Sequence, residues 1–299
     1  MLRSLLTLLF AVMLTAACAG NEATSRSPST SAVVEAPTLP IATIAPAGGT
    51  IETDERVPFT DLLVLDVLRP AGDELLPVVV LVHGGGWVGG ERSDLAGLAA
   101  LIAGEGAVVY NISYRTIALG GSYPGTFEDI SCGVRFARDA ADSYRGDPGR
   151  IALVGYSAGA HLGAVVALAG DEFEGDCLAD GGSSLPDAFV GVAGPYDSDQ
   201  FSPLLIPFFG GAPAEVPDTW ADGNPYTYVD RRPDLRMRLL QGTADRTVPQ
   251  QSTLDFHEAL TGAGHEVQLT MVEGAGHNEM VDPDGYGSLV AAAALELLR

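Results

Sequence analysis

The chain contains no lysine, and all 16 of its positive side chains are arginine. That absence removes the P-loop lysine, the pyridoxal phosphate Schiff base and the Ser-Lys nucleophile pair, each of which needs an amine. Positive charge of any kind is scarce: 39 acidic groups leave a formal net charge of -23. Such a surface repels phosphate backbones and anionic headgroups, so nucleic acid is not expected as a partner. Histidine is limited to five positions, His83, His161, His257, His265 and His277. His265-Glu266 lacks the second histidine of an H-E-x-x-H site, and the three cysteines have no zinc spacing. No metal or other cofactor is expected.

Long apolar runs are also missing. Residues 5–14, behind Arg3, form an apolar segment too short to cross a bilayer, followed by small residues ending in Ala16-Ala17-Cys18. Residues 1–20 therefore read as a signal peptide, absent from the mature, exported protein. Leu14-Thr15-Ala16-Ala17-Cys18 resembles a bacterial lipobox, in which Cys18 is acylated, although Leu14 stands one position too early. Ordinary cleavage after Ala17 or Ala19 is the alternative, so the protein is expected either at the cell surface on a lipid anchor or secreted. Residues 21–50, rich in Ser, Thr, Ala, Pro and Glu, read as a flexible tether. With Cys18 acylated or removed, Cys132 and Cys177 remain as a pair in an oxidising compartment, and a disulfide between them is expected. Two separate buried thiols are the alternative.

What is present is an alternation of short apolar runs with helix-compatible stretches over a single catalytic domain, residues 51–299. Strands are expected at 62–68, 78–82, 107–113, 150–156, 188–193, 236–240 and 266–272. Helices are expected at 94–103, 126–144, 158–169, 251–261 and 287–298. The run from Val78 to Val82 is nearly all valine and leucine, as a strand covered on both faces requires. The pattern predicts an α/β protein with a parallel, doubly covered sheet. Residues 198–229 interrupt it with prolines, glycines and aromatics; they read as a cap-like insertion over the active site, or as a surface loop pinned by its own apolar cluster.

Gly155-Tyr156-Ser157-Ala158-Gly159 lies between an apolar run and an Ala/Leu/Val-rich helical pattern, the context of a strand-turn-helix elbow that exposes a nucleophilic serine. Ser157 then needs a base. His277 follows the last strand on a loop able to reach over the sheet edge, whereas His257 and His265 read as surface residues. His161, one helical turn beyond Ser157, reads as structural but stays open as a base. Asp245, in the loop after the strand at 236–240, is the carboxylate expected to orient His277; Glu273 and Asp282 share the histidine's own loop and are less able to reach its far nitrogen. His83-Gly84-Gly85-Gly86-Trp87 follows another strand. Its glycines allow close backbone approach, so the amides of Gly85 and Gly86, with that of Ala158 at a helix start, are the expected oxyanion donors. His83 is expected to shape that loop.

These segments, 78–87, 155–161, 242–249 and 274–277, resemble the α/β-hydrolase carboxylesterases with an H-G-G-G-W oxyanion loop, near the hormone-sensitive-lipase-like and kynurenine-formamidase-like branches. The resemblance covers residues 58–299. It implies an α/β-hydrolase fold, a Ser157–His277–Asp245 triad, an oxyanion hole at Gly85, Gly86 and Ala158, and ester hydrolysis without a cofactor; a small-molecule ester is the expected substrate, and no protein partner is expected. Arylformamides or peptides could be cleaved by the same triad, and a non-catalytic binding protein on this fold is the remaining reading. Two features depart from the pattern: no large cap domain precedes Asp61, and Asn278 stands where relatives often carry an aromatic residue.

Overall fold

The computed structural model describes residues 49–299 except Asp180, so the expected signal segment, Cys18 and the tether up to residue 48 lie outside the described residues. The elements are β1 (Ile51–Pro58), β2 (Val64–Pro70), β3 (Leu76–Val82), α1 (Ala96–Gly104), β4 (Val108–Ile112), α2 (Gly125–Asp139), β5 (Gly146–Tyr156), α3 (Ala158–Ala169), β6 (Ala188–Val192), α4 (Ser202–Phe209), α5 (Pro217–Asp222), β7 (Arg236–Gly242), α6 (Gln250–Gly262), β8 (Val267–Val272) and α7 (Gly287–Leu297). One sheet runs in the order β1-β2-β4-β3-β5-β6-β7-β8. β1 and β2 are antiparallel to their neighbours, and every pair from β4 onward is parallel. This is the α/β-hydrolase fold.

Alternation along β3 divides the core. Val78, Val80 and Val82 point into one layer with α2, α3 and α6, while Val79 and Leu81 point into the other with α1 and α7. A strand sandwiched in this way has no solvent face, which explains its unbroken apolar sequence. Parallel pairing then puts the C-terminal ends of β3, β5, β7 and β8 at one edge, and each ends in a loop that carries an expected site residue.

Residues 198–229 fold onto α2 and onto the loop that follows β3, where Phe201 lies 5.8 Å from Trp87 between ring centres. Pro203 and Pro217 stand in the first turns of α4 and α5, where proline is tolerated because its missing amide is unpaired there anyway. The aromatic side chains turn inward: Phe208 packs on Phe127 of α2 at 5.8 Å between ring centres, and Phe209 packs on Trp220 at 4.5 Å. Tyr123 donates its amide to the Phe208 carbonyl (2.9 Å), which fastens the insertion to the start of α2.

Cys132 of α2 and Cys177 of the loop after α3 are joined by a disulfide, with Cα atoms 5.2 Å apart. The loop it closes has a sequence separation of 45, for which the chain-entropy model gives about 4 kcal/mol of stabilisation. Reduction is therefore expected to lower the denaturation midpoint of the folded protein, and the unreduced protein should show no thiol at either cysteine in alkylation mass spectrometry. Free thiols at both positions in the native protein contradict this.

Candidate active site

β5 ends at Tyr156 and α3 begins at Ala158, so Ser157 alone makes the turn. Its backbone sits at φ 53, ψ −123, a conformation that costs a non-glycine residue about 1–3 kcal/mol and persists only where the surroundings hold it. The holders are visible: Ser157 donates its amide to the Val192 carbonyl (2.8 Å), and its own carbonyl accepts from Ala160 (2.9 Å). The crossing is so close that a Cβ at Gly155 would lie 2.3 Å from the Gly159 carbonyl oxygen, and one at Gly159 would lie 2.4 Å from that of His83. Only glycine fits at either position.

Ser157 Oγ donates to His277 Nε2 at 3.0 Å, and His277 Nδ1 donates to Asp245 Oδ2 at 2.7 Å. The Asp245 side chain has no exposed surface, and that of His277 retains 10%. A buried carboxylate needs its other lone pairs occupied. Asp245 Oδ1 accepts the amides of Thr247 (2.8 Å) and Val248 (2.9 Å), and Oδ2 also accepts Gln241 Nε2 (3.1 Å). Gln241 is itself fixed by Thr253, whose hydroxyl donates to Oε1 at 2.8 Å. The loop of His277 is closed by Glu279, which accepts the Gly276 amide. Tyr156 packs its ring 5.1 Å from the imidazole and donates its hydroxyl to Asn278 Oδ1 (2.8 Å). Burial, with the Asp245 charge adding to it, raises the Tyr156 pKa and keeps it a phenol.

The H-G-G-G-W loop faces Ser157 from the end of β3. His83 stacks on Tyr114 at 4.1 Å, and its Nδ1 contacts the Gly84 carbonyl at 2.7 Å. Burial lowers its pKa, the Gly84 contact opposing, which suits a neutral ring that shapes the loop. The Gly89 amide donates to the Gly85 carbonyl (3.0 Å), closing a turn in which Gly85 takes φ +118 and a Cβ would lie 2.1 Å from the Gly89 oxygen. Among the described residues, the amides of Gly85 and Gly86 have no protein acceptor. The Ala158 amide, at the first turn of α3, has no intrahelical one.

An open cleft of about 640 Å³ leads to Ser157 and His277. Leu95, Leu98, Val281 and Pro283 form its apolar walls, and Asp94 and Asp282 its acidic rim. Among the described residues, none of 198–229 lines it.

The other histidines fall as follows. His257 is partly exposed on α6. His265, expected at the surface, is instead 5% exposed, with Nε2 at 2.8 Å from the Val229 carbonyl at the end of the insertion. His161 is wholly buried and meets Trp87, not Ser157. Gln241, Tyr156 and the Trp87–His161 contact escaped the sequence reading. Gln241 directly after Leu239-Leu240 was the one available signal, because a polar group at the end of a buried strand requires a partner.

A family model described as BD-FAE matches residues 65–260. The chain is 30% identical over 234 residues to Esterase LipC of Mycobacterium tuberculosis, covering 74% of this chain and 58% of that protein. It is 30% identical over 246 residues to Carboxylesterase NlhH of the same organism, covering 75% and 74%. The chain thus spans little more than half the length of LipC. Among solved structures, the Bifunctional GH43-CE of Bacteroides eggerthii matches with a TM-score of 0.71 at 25% identity, over 82% of this chain and 35% of that one.

Proposed function

The chain belongs to the BD-FAE family of α/β-hydrolases, and we propose that it is a serine carboxylic-ester hydrolase acting on small or medium acyl esters through an acyl-enzyme. The observation that carries this reading is the continuous line from Asp245 Oδ2 through His277 to Ser157 Oγ, in a cleft also lined by Gly85 and Gly86, whose amides have no protein acceptor among the described residues. The names Esterase and Carboxylesterase borne by LipC and NlhH support an ester as the bond broken.

In the first half-reaction His277 Nε2 takes the proton of Ser157 Oγ as that oxygen bonds to the ester carbon. The carbonyl π pair moves onto oxygen, and the amides of Gly85, Gly86 and Ala158 donate to the resulting oxyanion. Collapse expels the alkoxide, which the imidazolium protonates. In the second half-reaction His277 deprotonates water, the hydroxide adds to the acyl carbon, and Ser157 leaves with its proton restored. Asp245 stays ionised throughout and stabilises the imidazolium. The cleft volume falls in the range that encloses a drug-sized molecule, which supports a small or medium ester. Export, with Cys18 acylated or the chain secreted, belongs to the same proposal and rests on residues 1–20.

The test is covalent. A fluorophosphonate is expected to label Ser157, located by peptide mass spectrometry, and p-nitrophenyl esters are expected to turn over faster than matched anilides. Absence of labelling at Ser157 sinks the nucleophile, and faster anilide turnover moves the assignment to an amidase.

A further inference from the structure

His161 has no part in the triad, yet it stands at the centre of the site's support. α3 carries it one turn beyond Ser157, fully enclosed. Trp87, directly after the oxyanion glycines, donates its indole Nε1–H to His161 Nδ1 at 3.2 Å, and the rings meet edge-on at 5.5 Å. An indole nitrogen only donates, so His161 must present a bare Nδ1 and carry its proton on Nε2. Burial pulls its pKa to about 4, the Gly223 carbonyl opposing, which keeps that neutral form at ordinary pH.

Trp87 needs such a hold. Its backbone lies at φ 61, unfavourable for a bulky side chain, a conformation that persists only where the surroundings hold it. Three contacts anchor it: His161 at the nitrogen, Phe201 of the insertion at 5.8 Å between ring centres, and the Ile117 amide on its carbonyl (2.8 Å). Gly85 and Gly86 lie immediately before this fixed point, and the Gly85–Gly89 turn encloses it.

We propose that His161 is a positioning residue for the oxyanion hole: by accepting the Trp87 indole N–H, it holds the Gly85 and Gly86 amides in register with Ser157, which stands at the N-cap of the same helix. Nucleophile and oxyanion donors are thereby referenced to one rigid element. The insertion acts on the reaction through Phe201 and Trp87, without lining the cleft. This inference rests on the serine-hydrolase reading above.

The test uses the full protein and its two tryptophans. Trp87→Phe removes one of two indole N–H resonances and so assigns both; the other belongs to Trp220, whose Nε1 donates to the Gly211 carbonyl at 2.9 Å. His161→Leu is expected to shift the Trp87 resonance upfield and leave that of Trp220 in place. The kcat for p-nitrophenyl acetate should fall by about 10- to 100-fold with KM little changed, because a misplacement of an ångström at an oxyanion donor acts on the transition state. A trifluoromethyl ketone, which forms the tetrahedral adduct, should lose affinity in proportion. His161→Asn, whose Oδ1 can replace Nδ1 as acceptor, should recover most of both losses. Trp87→Phe should match His161→Leu, and the double variant should lose little more than either. Unchanged kcat and inhibitor affinity in a folded His161→Leu whose indole resonance has moved overturns the proposal. So does an Asn variant that restores the resonance and not the rate. A wild-type protein with no hydrolysis and no Ser157 labelling fails the functional reading and with it this role, while the indole shift alone then reports that the His161–Trp87 bond is structural.

Discussion

Ser157→Ala is expected to lower kcat for p-nitrophenyl esters by about a millionfold, the loss typical of removing the nucleophile from a unit that works only as a whole. The protein should remain folded. The elbow is held by backbone bonds to Val192 and from Ala160, neither of which involves Oγ, and alanine meets the same φ 53 as serine. What disappears is the hydroxyl that donates to His277 Nε2. KM should change little, because the walls of the cleft and the Gly85 and Gly86 amides are untouched. Ser157→Gly supplies the control: equally inactive, it should be more stable than Ser157→Ala by about 1 kcal/mol, because glycine adopts this backbone without strain. Steady-state kinetics with circular dichroism melting decides the matter. A loss under tenfold in Ser157→Ala excludes Ser157 as nucleophile.

Those elements that bury both faces or begin at a recognisable turn motif are the most legible. β3 announces itself by its valine run, and the helix expected at 158–169 coincides with α3, Ala158–Ala169, because the elbow marks its start. Asp245 and His277 were legible for a related reason: in a parallel sheet the residue just past a strand's C-terminal end is already on the correct edge. β1 was not. Ile51–Pro58 is almost wholly solvent-facing and polar, and its pairing with β2, not its composition, makes it a strand. The insertion misled in another way, since Pro203 and Pro217 read as interruptions and instead start short helices. Its aromatic residues pack on α2 and Trp87, and no period in the sequence says which surface they will choose. Contacts such as Trp87–His161 and Gln241–Asp245 are single hydrogen bonds, made once, and leave no pattern to read.

Asp245→Asn separates the role of charge from that of shape at the same site. Asparagine fills the same volume, so the question is which atom points where. Oδ1 of Asp245 accepts two backbone amides, from Thr247 and Val248, and no rotation of a side chain can move those donors. The single oxygen of asparagine must therefore take that position, which turns its NH2 toward His277. There it donates to Nδ1, and the imidazole is left with its proton on Nε2, facing Ser157 with a donor where an acceptor is needed. Gln241 worsens the fit: its Nε2 now meets another donor, and it cannot flip without losing the bond from Thr253 to Oε1. The variant also lacks the negative charge that stabilises the imidazolium. The expected result is a fall in kcat of about 10,000-fold, some 5 kcal/mol in the barrier, with slowed fluorophosphonate labelling and a KM close to that of the unaltered protein. Asp245→Glu keeps the charge but overfills the buried site, so it should lose stability as well as rate, while Asp245→Asn loses chiefly rate. If Asp245→Asn retains more than a tenth of the original kcat, His277 takes its orientation from another group, and Asp282 in its own loop is the next carboxylate to replace.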